Sequence, residues 1–278
     1  MKRTTLSWII AFFLTIALAV FQRVTGPTYP IHGVQHFEGR DVAYRFDRSH
    51  GGESSHPVVL PAVGDSVRAW LEWKRFKAPD EWSRVPMNPA GNLLLAELPW
   101  QPPAGKLEYR VILEGRREHI VLPAGSPVVI RFRGDVPAFV LYPHILLMFA
   151  AMLLSTRTGL EFFSPSRNLR NFEFWTIGLL FAGGLVLGPL VQHYAFGEYW
   201  TGWPIGNDLT DNKTAVALIA WIIAAFAFSR SKRPARWAFG AAVTLLVVFL
   251  IPHSVLGSEI DYSKSEREKP PSQVSPIP

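Results

Sequence analysis

Along the chain, apolar residues gather into five long runs: Leu6–Val24, Ala138–Leu154, Phe172–Leu190, Thr214–Phe228 and Trp237–Ile251. Each approaches the roughly 20 residues that a helix needs to cross about 30 Å of hydrocarbon. Five transmembrane helices are therefore predicted. Between the first and second runs the period changes. Val58–Leu60, Ser66–Trp73, Asn92–Glu97, Leu107–Glu114, Arg117–Leu122 and Val128–Arg133 are short, with β-branched or period-two character. Val67, Ala69, Leu71 and Trp73 alternate with Arg68, Trp70, Glu72 and Lys74, which predicts one apolar and one mixed face. Turn signals at Pro61, Gly64-Asp65, Pro89–Asn92, Pro102–Gly105 and Gly115 separate the strands. The predicted fold is a membrane α-helical bundle with an inserted extracytoplasmic all-β domain, a small antiparallel immunoglobulin-like sandwich.

The boundaries follow from this pattern. Residues 1–25 form a membrane anchor, 26–135 the β domain and 136–258 a four-helix membrane domain with an outer loop at 191–213. Residues 259–278, charged and then rich in Pro and Ser, read as a disordered tail. The first run has a basic start and resembles a signal peptide. Val20-Phe21-Gln22-Arg23-Val24 is bulky where a cleavage site needs small residues, so an uncleaved anchor is expected.

The net charge of +6 alone would allow a nucleic-acid partner. Topology accounts for it better. Lys2 and Arg3, then Arg157, Arg167 and Arg170, then Arg230, Lys232, Arg233 and Arg236 fall on alternate sides of the helices. The positive-inside rule makes those sides cytoplasmic. The N-terminus is then inside, with the β domain, the 191–213 loop and the tail outside. That layout fits a multi-pass protein of a bacterial inner membrane with a periplasmic β domain, in contact with lipid and not with nucleic acid. Cysteine is absent, which excludes disulfides, a thiol nucleophile, a zinc–thiolate site and covalent haem attachment to this chain. No G-x-S-x-G, P-loop or H-E-x-x-H pattern occurs, so a binding or assembly role is expected rather than an enzyme.

The segment Gly188–Trp221 carries the candidate chemistry. It holds Tyr194, Phe196, Tyr199, Trp200 and Trp203, followed by Asn207, Asp208, Thr210, Asp211, Asn212 and Lys213. Two readings fit: an interfacial aromatic belt, or a platform for a flat amphipathic ligand. The predicted topology puts His144, His193 and His253 on the same outer side. Histidines beside flat aromatic faces suit a haem, whose iron takes imidazole ligands; Lys213, or a basic residue of the β domain, is a candidate partner for the propionates. A neutral His144 hydrogen-bonded to a neighbouring helix is the plainer alternative. Asp211 is read as the cap of a helix starting near Thr214. His32, His36, His50 and His56 read as solvated loop histidines, since no carboxylate-rich ligand set accompanies them. His119 reads as a structural strand residue.

The order of parts resembles the haem-handling membrane proteins of cytochrome c biogenesis, over about Val136–Tyr262. Their signature is a Trp-rich external loop with flanking histidines, W-G-x-Y-W-x-W-D in one branch. Gly188–Trp200 fits that run if Phe196 stands for the first Trp, Asp208-Leu209-Thr210 partly echoes the other branch, and His253-Ser254 looks like the family's His-Ser pair. Trp203-Pro204-Ile205-Gly206-Asn207 interrupts the Trp–Asp pair. The resemblance implies haem as cofactor or cargo and cytochrome-assembly proteins in the membrane or periplasm as partners. His144 and His253 would be axial metal ligands, with His193 as the alternative. Tyr199, Trp200 and Trp203 would form the platform, with Asp208 and Asp211 bracing the loop through hydrogen bonds to the histidines or the backbone. The competing expectation is a membrane-anchored interaction or scaffold protein without a cofactor, its β domain serving as the binding module.

Overall fold

The computed structural model describes residues 3–64, 67–163, 168–206, 209–252, 257 and 259–262. It divides into two compact units: Met1–Tyr29 with Asp135–Ser258, and Pro30–Gly134 with Glu259–Pro278.

The first unit is helical. It comprises α1 (Arg3–Thr25), α2 (Ala138–Gly159, extended by a 3-10 turn Leu160–Phe162), α3 (Leu169–Leu180), α4 (Gly188–Phe196), α5 (Leu209–Phe228) and α6 (Pro234–Leu250). A π-helical stretch, Phe181–Leu187, joins α3 to α4. The stretches Thr4–Thr25, Ala138–Phe162, Leu169–Phe196 and Leu209–Phe228 are long and apolar enough to span a membrane. α6 is apolar but shorter, 17 residues or about 26 Å. α1 is built into the bundle. Leu18 joins the core, Trp8 meets Phe172 edge-on at 5.9 Å, and Gln22 Nε2 donates to the carbonyls of Phe249 and Ile251 at 2.5 and 3.3 Å.

Three helix boundaries correct the sequence expectation. α2 was expected to end at Ser155, leaving Arg157 in a basic loop. Instead the helix continues, and Arg157 is 2% exposed beside fully buried Glu161. Their Nη1 and Oε1 stand 2.5 Å apart, without hydrogen-bond geometry between those two atoms. The guanidinium also lies over the rings of Trp8 and Phe172, at 5.5 and 5.1 Å. The attraction between the two charges offsets part of the cost of taking both out of water, so arginine does not mark a loop here. At the other end, the predicted loop 191–213 loses residues to both flanking helices. α4 runs to Phe196 and stops at Gly197, whose φ of +87° suits glycine and whose N–H donates to His193 O at 2.8 Å. α5 begins at Leu209, five residues before the predicted start.

The second unit is built from β1 (Ile31–Phe37), β2 (Arg40–Phe46), β3 (Ser49–Gly51), β4 (His56–Pro61), β5 (Arg68–Arg75), β6 (Ser83–Pro86), β7 (Asn88–Ala90), β8 (Leu93–Leu98), β9 (Lys106–Glu114), β10 (His119–Leu122) and β11 (Val128–Arg133). The larger sheet runs β3-β11-β9-β5-β6, with β10 also on β9. A three-stranded sheet runs β4-β8-β7, and β1-β2 form a hairpin. Apart from parallel β3–β11, the pairs are antiparallel. Inward residues from all three pack into one core around Phe37, Leu60, Leu71, Leu98, Tyr109 and Phe132.

The six predicted strands match β4, β5 and β8–β11, whereas β1–β3, β6 and β7 were not predicted. The early histidines are therefore not loop residues. His32 and His36 sit in β1, His50 in β3 and buried His56 at the start of β4. The expected disordered tail is also too long. Glu259 bridges Lys77 and Lys106, and the buried Tyr262 hydroxyl accepts from Lys106 N at 3.1 Å and donates to Gln101 Oε1 at 3.0 Å. The rest of that predicted tail, residues 263–278, lies outside the described residues.

Candidate functional site

The α2 end of the site begins with a proline and a histidine. Pro143 lacks an N–H, and His144 follows it within α2. His144 Nδ1 lies 2.8 Å from the carbonyl of Gly183 in the π-helical stretch. A carbonyl only accepts, so Nδ1 carries the proton, and a neutral ring keeps its lone pair on Nε2. Nε2 makes no protein hydrogen bond among the described residues. The alternative of a histidine bonded to a neighbouring helix is thus what the geometry gives, with a backbone oxygen as partner.

The helix around Gly183 is widened by the sequence that follows it. Pro189 has no N–H to offer Leu185 O in an ordinary helical turn, and the chain widens there. Gly188 N–H then donates to Gly183 O, which accepts from His144 as well. Glycine makes the close approach possible. A Cβ on Gly183 would stand 3.0 Å from both Leu147 Cβ and Met148 Sδ.

The loop end is held by two adjacent side chains of α5. Asp211 Oδ2 accepts from the backbone N–H of Thr201 at 2.7 Å and of Gly202 at 3.0 Å. Asn212 Oδ1 accepts from Trp203 N–H at 2.7 Å. Three successive amides are thereby fixed. Gln192 of α4 adds a bond to Thr201 Oγ1 at 2.6 Å, tying both flanking helices to the loop. Asp211 lies inside the first turn of α5, so it is not the cap of a helix starting near Thr214; its carboxylate braces the loop backbone, as the other expectation had it.

The aromatic residues take different positions. His193, in α4 rather than in the loop, stacks flat on Tyr199 with centroids 4.1 Å apart and planes at 1°. Its Nδ1 donates to Gly197 O at 3.1 Å. Trp200 Nε1 donates to Trp203 O at 3.2 Å, and the Trp203 ring is 76% exposed. The structure thus brings His193 to Tyr199 and Trp200 to Trp203, while the polar partner of His144 lies in the helix. Asp208 and His253 lie outside the described residues.

Lys213 is corrected as a propionate partner. It is buried, and its ammonium donates to Ile251 O at 2.8 Å, where the last carbonyls of α6 need donors. Sequence reading missed Gly183 O and Gln192, and named Asn212 only as part of the polar cluster. The readable signals were Gly183-Gly184 five residues before Pro189, and adjacent Asp211-Asn212 at a helix start. Among the described residues, no group of three or more His, Asp and Glu side chains is arranged to hold a metal ion. Compared with protein-family models, curated proteins and solved structures, the chain shows no match.

Proposed function

We propose that the helical unit binds or handles haem in a bacterial inner membrane, in connection with cytochrome c biogenesis or a membrane redox complex. The observation that carries this reading is His144, whose Nδ1–H is fixed on the Gly183 carbonyl. Metal-ligating histidines commonly donate their second nitrogen in this way, which orients the ring and strengthens the other nitrogen as a ligand. The donor chemistry therefore fits haem iron. His144 and His253 would hold it, with His193 as the alternative ligand and Trp200, Trp203 and Tyr199 as aromatic neighbours. When bound, haem supplies one-electron chemistry or is itself the cargo. The clamp from Asp211 and Asn212 supports the platform reading, since a belt residue needs no fixed backbone. In this reading the second unit is an immunoglobulin-like sandwich facing the periplasm, α1 is retained, and cytochrome-assembly proteins are the partners.

The test is the absorption spectrum, oxidised and reduced, of detergent-purified protein beside His144→Ala and His253→Ala. A Soret band in the wild type that is lost or shifted in both variants is expected. A wild type that is colourless and takes up no added haem overturns the reading.

A second reading, an anchored interaction protein, draws on one face of the larger sheet. There Arg84 lies over Trp70 at 4.3 Å and Arg110 over Trp82 at 4.4 Å. Such a partner would bind equally to haem-free protein and lose affinity on Trp70→Ala or Trp82→Ala; unchanged affinity would remove this reading.

A further inference from the structure

Two imidazoles of the β unit meet where its sheets adjoin. His50 is the middle residue of β3 in the larger sheet, and His56 is the first residue of β4 in the three-stranded one. Gly51-Gly52-Glu53-Ser54-Ser55 doubles back between them, with Gly52 at φ +83°. The turn is pinned on both sides of Gly52. Its N–H donates to Arg133 O at 3.1 Å, and its carbonyl accepts from Trp100 Nε1 at 3.2 Å. The two Nδ1 atoms consequently face each other at 3.2 Å, with ring centroids 4.9 Å apart. Phe132 packs edge-on against His50 at 5.6 Å, and His56 is 6% exposed.

The proton positions follow from the partners. His50 Nε2 lies 2.9 Å from Ser54 O, an acceptor, so Nε2 carries the proton and neutral His50 points a lone pair from Nδ1 at His56. One ring nitrogen on a backbone carbonyl and the other offering a lone pair is the arrangement of a metal-ligating histidine. Metal–nitrogen bonds of about 2.0–2.1 Å put adjacent nitrogens about 2.9 Å apart on the tetragonal ion that Cu2+ favours and about 3.3 Å apart on a tetrahedral one. The observed 3.2 Å lies between the two.

We propose that His50 and His56 form a two-histidine site for a late first-row metal ion, with Cu2+ the tightest binder and solvent completing the coordination. Imidazole nitrogens without thiolate favour Cu2+, Ni2+ and Zn2+ over Mg2+ and Ca2+, and affinity peaks at Cu2+. On binding, His56 moves its proton from Nδ1 to Nε2, and two nitrogen–metal bonds replace the imidazole–imidazole hydrogen bond. This site belongs to the β unit and does not rest on the haem reading.

The experiment titrates chelator-treated, detergent-purified full-length protein with Cu2+ alone, following calorimetry and electron paramagnetic resonance. One equivalent with hyperfine structure from two nitrogens is expected. Its affinity should fall at least tenfold in both His50→Gln and His56→Gln and stay unchanged in His36→Gln, a strand histidine paired with Asp41. Circular dichroism checks folding. If His56→Gln unfolds, the half-buried His50 carries the test through His50→Gln. No stoichiometric Cu2+ in the wild type, or full binding in folded His50→Gln, overturns the proposal.

Discussion

Asp211 and Gly202 are fitted to each other. The carboxylate takes the glycine N–H at 3.0 Å, and a Cβ on Gly202 would lie only 2.7 Å from Asp211 Cβ and 2.8 Å from Asn212 Oδ1. Asp211→Ala leaves the Thr201 and Gly202 amides without this acceptor. A loss of about 2–3 kcal/mol is expected, measured by thermal unfolding in detergent. Gly202→Ala should disturb the same loop by crowding, seen as altered tryptophan fluorescence. Unchanged stability and emission in both variants would show that the clamp does not hold the loop.

Gly183 is the second place where a methyl group is diagnostic. Gly183→Ala meets Leu147 and Met148 at 3.0 Å and should cost about 1–3 kcal/mol as α2 is pushed away. The same shift lengthens the His144–Gly183 bond. If the helical unit binds haem as proposed, a weaker or displaced Soret band should accompany the lower melting temperature.

The Arg157–Glu161 pair predicts strong non-additivity. Removing one partner leaves a buried charge, so Glu161→Gln should destabilise by roughly 3–5 kcal/mol. Replacing both with apolar residues, Arg157→Met with Glu161→Leu, should cost much less than the sum of the single changes. A double-mutant cycle read by unfolding in detergent checks this, and additive losses would show the two residues to be independent.

Asp80 gives the β unit an acid-sensitive contact. Arg75 Nε and Nη2 donate to its two carboxylate oxygens at 2.7 and 2.8 Å, and those hydrogen bonds hold its pKa below the usual carboxylate value. The folded state thus binds the proton more weakly than the unfolded chain. The pair's contribution is complete above about pH 4 and lost as pH falls through the lowered folded value. Asp80→Asn should cost about 1 kcal/mol at pH 7 for this partly solvated pair. The difference from wild type should vanish in strong acid, as followed by calorimetry.

How far the sequence could be read depended on the range of the cause. Apolar runs located the helices because each must by itself be long and apolar enough to be able to span a membrane. Helix ends were harder, since Arg157 resembles a loop residue until its partner Glu161 is seen one turn later. Alternation revealed β5 and β9, whose faces differ sharply. It missed β1, where Ile31-His32-Gly33-Val34-Gln35-His36 offers little apolar contrast and strand pairing comes from β2. At the site, the aromatics and histidines were visible as residue types. The Gly183 carbonyl was not, because a backbone acceptor has no letter of its own. The His50–His56 contact was hidden because it depends on two sheets meeting through a glycine turn.

The short stretch Glu259–Tyr262 makes the β unit discontinuous in sequence. Arg75 lies over the Tyr262 ring at 5.2 Å, Lys106 N–H meets its hydroxyl, and Ile260 N–H reaches Ala104 O at 3.4 Å. A fragment spanning only 30–134 therefore carries a notch where those four residues belong. A synthetic peptide of the missing segment should bind that fragment in trans and raise its melting temperature, behaving as a detachable piece of the domain.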